Sequence, residues 1–167
     1  MKLNEQQFLN HIEKNKAAII KVSRMYMDKL EDQQDLFQEI VLQLWKSYGS
    51  FRQESLFSTW LYRVAINTAL IYLKKDKRRP DNQELSHEVD LADEQDQSNK
   101  EEQLRYFYQA VQQLNAVEKA LIFLFLEGQS HREIASNLGI SEVNARVKLN
   151  RTKEKLQQII KTQGYEF

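Results

Sequence analysis

The sequence predicts an all-α protein made of two small helical domains joined by an acidic flexible linker, the second domain carrying a helix-turn-helix. Three observations predict it. Breakers are scarce, with 4 Gly and 1 Pro in 167 residues, so few points interrupt a helix. Apolar residues recur three and four positions apart through most of the chain. Between residues 81 and 102 that periodicity stops, and the stretch holds acids and amides without a single Phe, Trp or Tyr, the composition of a linker. The divisions expected are therefore 1–80, 81–102 and 103–167.

Composition narrows the function. Hydrophobic residues make up 41% of the chain, enough to bury the core of one ordinary domain or two small ones. There is no Cys, which excludes disulfides and thiolate metal sites and suits a reducing, cytoplasmic setting. No apolar run reaches the length of a membrane span, so no direct membrane insertion is expected. The formal net charge of +0 conceals strong blocks. Trp60–Arg79 carries +5, Asp81–Gln103 carries −8, and Ser141–Lys161 carries +4. Two basic blocks separated by an acidic one fit a nucleic-acid partner better than the mean charge does.

The first domain opens with one or two helices over about Asn4–Leu30, whose apolar stripe is Phe8, Ile12, Ala17, Ile19, Ile20, Val22, Met25, Tyr26 and Leu30. Asp32–Tyr48 is a strong helix with Phe37, Ile40, Val41, Leu44 and Tyr48 expected inside. Asp35, Gln38 and Glu39 fall on another side. Acids near a helix N-terminus are good electrostatics in their own right; the second reading is a contact face for a basic partner. Gly49 ends this helix. Ser50–Ser58 is expected as a loop anchored by Phe51, Leu56 and Phe57.

Thr59–Lys75 is then a helix apolar on more than one side, so it should lie across a core. Trp60, Arg63 and Asn67 share one of its faces at i, i+3 and i+7. Asn is a poor interior helix residue, so Asn67 is either a satisfied core amide or a reader of a nucleic-acid base. An aromatic plane beside hydrogen-bonding groups, continued by the basic run Lys74–Arg79 with Lys74, Lys75, Arg78 and Arg79, suits unstacked single-stranded DNA. Pro80 closes the domain.

In the second domain Leu104, Phe107, Val111 and Leu114 form one helical stripe. Val117–Glu127 adds a buried helix with Leu121, Ile122, Leu124, Phe125 and Leu126, ending at Gly128. Ser130 and Glu133 have the spacing of a capping box, so a helix begins at His131. Gly139 offers the positive φ that ends it, and Ser141 caps the next. There Ala145, Leu149, Thr152 and Leu156 face inward, leaving Arg146, Val147, Asn150 and Arg151 outward with Lys148, Lys153 and Lys155 beside them. Basic residues on a helix commonly mean a solvated face. On the second helix of a capped, Gly-turned pair they suit major-groove reading.

No catalytic constellation is present in the sequence. His11, His87 and His131 lie in three separate segments, and Gly49, Gly128, Gly139 and Gly164 make no phosphate-binding loop. DLADEQDQ lacks the central Gly of a calcium loop. No cofactor is expected.

Taken together, DLFQEIVLQLW, SFRQESLFSTWLYRVAINTALIYLKKDKRRP and EIASNLGISEVNARVKLNRTKEKL resemble the extracytoplasmic-function (ECF) sigma factors of bacterial RNA polymerase, members of the sigma-70 family. The resemblance covers nearly all of the chain outside the acidic stretch. It implies regions 2 and 4 of such a factor, a non-catalytic specificity subunit that binds core polymerase through the β′ clamp helices and the β flap and reads promoter DNA. It assigns Asp35, Leu36, Gln38 and Glu39 to core polymerase. It places capture of a flipped −10 base in the loop Ser50–Ser58. It gives −10 contacts to Asn67 with Trp60 and Arg63 beside it, and backbone contacts to Lys74–Arg79. It gives −35 reading to Arg146, Val147, Asn150 and Arg151, with Ser141, Lys148 and Lys153 on phosphates. An anti-sigma factor is a further candidate partner, and the acidic stretch a candidate mimic of nucleic acid in the polymerase channel. The competing reading is a stand-alone helix-turn-helix regulator of duplex operators, which leaves the Trp60–Asn67 face unexplained.

Overall fold

A computed structural model describes residues 2–76 and 98–164, and among these every regular element is helical. In order they are α1 (Lys2–Tyr26), α2 (Leu30–Ser47), a 3₁₀ turn (Tyr48–Ser50), α3 (Phe57–Asp76), α4 (Ser98–Gln112), α5 (Ala116–Leu126), α6 (His131–Leu138) and α7 (Glu142–Thr162). The expected linker lies outside the described residues up to 97, as do Arg78 and Arg79. Its last positions, 98–102, belong to α4, so the second helical unit starts earlier than the residue-103 boundary expected from composition.

Helices α1, α2 and α3 pack pairwise on one another. Leu36, Ile40 and Leu44 of α2 meet Ile19, Val22 and Met25 of α1 and Leu61, Ala65 and Ile66 of α3 in one buried core. Each Leu, Ile, Val or Met among them contributes about 1.5–3 kcal/mol on leaving water. The apolar residues of α2 fall on two adjacent rows. The inner row is 36, 40 and 44: Ile40 and Leu44 are inside as expected, Leu36 joins them, and Phe37, Val41 and Tyr48 form a half-buried rim. Leu30 opens α2 at its solvent end and is 68% exposed, rather than closing the stripe of α1.

In the second unit α7 packs against α4, α5 and α6. Asn115 and Glu118 form a reciprocal capping box at the start of α5, the Glu118 N–H donating to Asn115 Oδ1 at 2.8 Å and the Asn115 N–H to Glu118 Oε1 at 2.9 Å. Ser130 and Glu133 do the same for α6, as their spacing predicts. Gly139 takes φ 69° and ends α6 in the left-handed conformation, and the Ser141 hydroxyl accepts from the Asn144 N–H at 3.1 Å to start α7. Phe125 and Leu126, expected inside, end α5 exposed. They lie in its last turn, and the Phe125 ring instead carries the Lys153 ammonium 3.7 Å from its centroid.

Candidate nucleic-acid and polymerase interfaces

Three surfaces gather the residues singled out from sequence. The first is the outer face of α7. Ala145, Leu149, Thr152 and Leu156 are all buried, which fixes the helix's rotation. Arg146, Val147, Lys148, Asn150 and Arg151 are exposed. At about 100° per residue, Arg146 to Arg151 spans an arc of about 140°. Val143, not singled out in the sequence, sits inside that arc, 71% exposed on the first turn. An exposed β-branched residue three and four positions before Arg146 and Val147 is the signal that could have found it. Arg146 also lies 3.8 Å from Glu142 across one turn. Two expected contacts are differently employed here: Ser141 spends its hydroxyl on the helix cap, and Lys153 is half-buried over Phe125.

The second surface is the outer face of α3. Asn67 is exposed, which removes the satisfied core amide reading, and it makes no side-chain hydrogen bond among the described residues. Arg63 lies one turn before it, its guanidinium donating to the Ser136 carbonyl at 3.1 Å. Trp60 is half-buried and packs on Phe51 and Phe57, with ring centroids 5.1 and 5.4 Å away. Phe57 in turn stacks on His11 at 4.1 Å. This aromatic floor supports the loop between the 3₁₀ turn and α3, in which Gln53 takes φ 59°. A non-Gly residue there costs of order 1 kcal/mol. Leu56, expected to anchor the loop, is 76% exposed instead, because α3 starts at Phe57 and turns that ring, not Leu56, inward. Lys74 and Lys75 continue the face, exposed.

The third surface is the solvent side of α2. Asp35 and Gln38 are exposed and Glu39 is half-buried, accepting from the Gln43 amide at 3.0 Å. Leu36, the fourth residue expected at core polymerase, is 0% exposed and belongs to the core, packed with side chains of α1 and α3. Beside Gln38 lies an open apolar groove lined by Phe8, Phe37, Val41, Leu42 and Trp45. Sequence reasoning placed Phe37 and Val41 in the core and so missed it. No group of three or more His, Cys, Asp or Glu residues suited to a metal occurs among the described residues, and none of their helices is long and apolar enough to cross a membrane.

Comparison with known proteins gives these surfaces a context. Residues 11–79 match the family model for sigma-70 region 2, and residues 104–156 match that for sigma-70 region 4. The chain is 30% identical over 138 residues to the ECF RNA polymerase sigma-E factor of Haemophilus influenzae, covering 75% of this chain and 73% of that one. It is 28% identical over 179 residues to the ECF sigma factor SigG of Mycobacterium tuberculosis, covering 91% of this chain and 48% of that longer one. The fold is similar to the sigma factor RpoE of Bartonella quintana, solved with the anti-sigma factor NepR: TM-score 0.70 at 20% identity, over 96% of this chain and 98% of that one. CnrH, solved with the cytosolic domain of CnrY, gives a TM-score of 0.68 at 19% identity, over 95% and 90%.

Proposed function

We infer what the chain does from its family, for it belongs to the ECF group of the sigma-70 factors of bacterial RNA polymerase. It directs promoter-specific transcription initiation by core polymerase. The reading of residues is ours. Region 2 offers Asp35, Gln38, Glu39 and the groove around Trp45 to the β′ clamp helices, charge fixing the approach and apolar contact holding it. Region 4 is read as the second contact, on the β flap.

On promoter DNA, α7 enters the major groove at the −35 element. Arg146 and Arg151 suit bidentate contact with guanine edges, Asn150 with adenine, and Val143 and Val147 with thymine methyl groups. Lys148 is set to the side for phosphate. On α3, Asn67 and Arg63 take the −10 element, with Trp60 as the stacking floor for an unpaired base. The observation that carries this assignment is Asn67, exposed in the middle of a helix and without a side-chain partner among the described residues, where an amide otherwise costs stability. Opening the duplex costs a few kcal/mol per unstacked step, offset by bases captured on that face.

The protein does no covalent chemistry in this account; it is a specificity subunit acting in the cytoplasm, where its polymerase is. That a sigma factor of similar fold, RpoE, was solved with an anti-sigma factor supports such a factor as a regulator here. The acidic stretch 81–102, which up to residue 97 lies outside the described residues, is our candidate mimic of nucleic acid in the polymerase channel, by its charge. A stand-alone regulator is not favoured, because it gives region 2 nothing to do. The test is run-off transcription with core polymerase on genomic fragments. We expect start-specific transcripts that require the protein. Tight binding to twofold-symmetric duplex without polymerase, and no stimulation of core, would overturn the reading.

A further inference from the structure

The loop that leads into α3 has little of its own to hold it. Arg52, Gln53, Glu54, Ser55 and Leu56 are all exposed. Gln53 takes φ 59°, a backbone state that a non-Gly residue does not adopt freely. The loop is therefore held through the rings at its two ends, Phe51 and Phe57. Their centroids lie 5.5 Å apart, edge to face, and both rings pack on Trp60. Phe57 is buried and begins α3. Its plane decides where the loop re-enters the helix and how the Trp60 indole, one turn on, is set.

A histidine on another helix holds that plane. The His11 imidazole of α1 stacks on Phe57 with centroids 4.1 Å apart and 18° between the planes. The other rings against Phe57 meet it tilted or edge-on, Phe51 at 88°, Tyr48 at 70° and Trp60 at 52°. A parallel partner covers the face of a ring and opposes its tilting, whereas edge contacts bear only on the rim. Tyr48, the other ring near His11, is 6.4 Å away. His11 also belongs to no metal-ligating group among the described residues. The stack is what its ring does here.

We propose that His11 is a positioning residue for −10 recognition: through Phe57 it fixes the Trp60 plane and the loop against which an unpaired base is captured. The inference rests on the reading of Trp60 as a stacking floor. His11 itself does not touch the base. Its effect falls on selectivity, because a platform discriminates between bases only while it stays within about 10–20° of the productive orientation. An aromatic pair is worth a factor of about two to ten in an equilibrium, which sets the size of the effect.

The test uses holoenzyme on one mapped promoter and on versions of it changed in turn at each −10 position. Rates of open-complex formation, read as heparin-resistant run-off transcripts, should differ for the wild type between bases at the captured position. His11→Ala should compress that preference by about two- to tenfold, with core affinity and −35 protection unchanged. His11→Phe, which supplies a stacked plane again, should restore it. Loss of a merely structural contact would slow opening by one common factor on every promoter version and leave the preference alone. His11→Gln keeps a polar side chain without the ring and carries the same expectation if His11→Ala does not fold. Unchanged preference in the folded variant overturns the proposal, as does His11→Phe behaving like His11→Ala. If the wild type itself shows no preference at any −10 position, the base-capture reading falls and this inference with it; a failure confined to the variants falls on His11 alone.

Discussion

Leu36 separates two accounts of α2, because a motif assigns it to a partner and the structure assigns it to the core. It is fully buried among the side chains of α1 and α3. Leu36→Ala removes three carbons and leaves a cavity that packed helices close only in part, at a cost of about 2–5 kcal/mol. A helical unit of this size has a total stability of the order of 5–15 kcal/mol, and each 1 kcal/mol moves its midpoint by roughly 4–8 °C. The expected loss is therefore at least about 8 °C. Asp35→Ala, one residue away and exposed, should stay within about 0.5 kcal/mol of the wild type yet weaken core binding. The assay pairs thermal unfolding by circular dichroism with core affinity measured well below both midpoints. If Leu36→Ala left the midpoint within 2 °C while abolishing core binding, α2 would be rotated relative to this description and the placement of the groove would be wrong.

Other expectations follow from single contacts. Arg146→Ala should cost about 1–3 kcal/mol at the −35 element and relax base preference there, whereas Lys148→Ala should weaken all promoters alike and lower the salt slope by about one; competition binding of holoenzyme across salt concentrations separates the two. Gly139→Ala forces an L residue into φ 69°, which should cost about 1–2 kcal/mol, read by urea unfolding with α7 binding impaired in proportion. Burial alone would raise the Glu118 carboxyl, but the Asn115 N–H and the Lys155 ammonium outweigh it and hold it below its ordinary 4.5. Its contribution is thus fully present above that value and is lost as pH falls below it toward the folded-state pKa. Acid titration of unfolding should show this slope in the wild type, and a shallower one in Glu118→Gln.

How much of this was legible in the sequence differs between the two units. The helix-turn-helix could be read almost whole, since each boundary has a local chemical cause: Ser130 with Glu133, Gly139, then Ser141. The inward face of α7 was legible for the same reason, because only one rotation buries Ala145, Leu149, Thr152 and Leu156 together. Region 2 was harder. On α2 two apolar rows run side by side, and periodicity cannot say which of Leu36 or Phe37 faces in; tertiary packing chose the former. Phe125 and Leu126 look like core because periodicity does not record where a helix outruns its neighbours. The contacts that Gln112 makes with Arg24 and Glu127 with Lys21 across the two units join residues 88 and 106 positions apart, and no local pattern encodes them. The capping box of Asn115 and Glu118 was available as N-x-x-E and marks α5's start.

The central claim is a division of labour, with α3 opening the −10 element and α7 holding the −35 element. The most direct test is permanganate and nuclease footprinting of one mapped promoter by holoenzyme. For Asn67→Ala the account predicts loss of thymine reactivity at −10 with protection at −35 retained, and for Arg146→Ala it predicts loss of the −35 protection first. Equal loss of both signals in both variants, or melting untouched by Asn67→Ala, would contradict it.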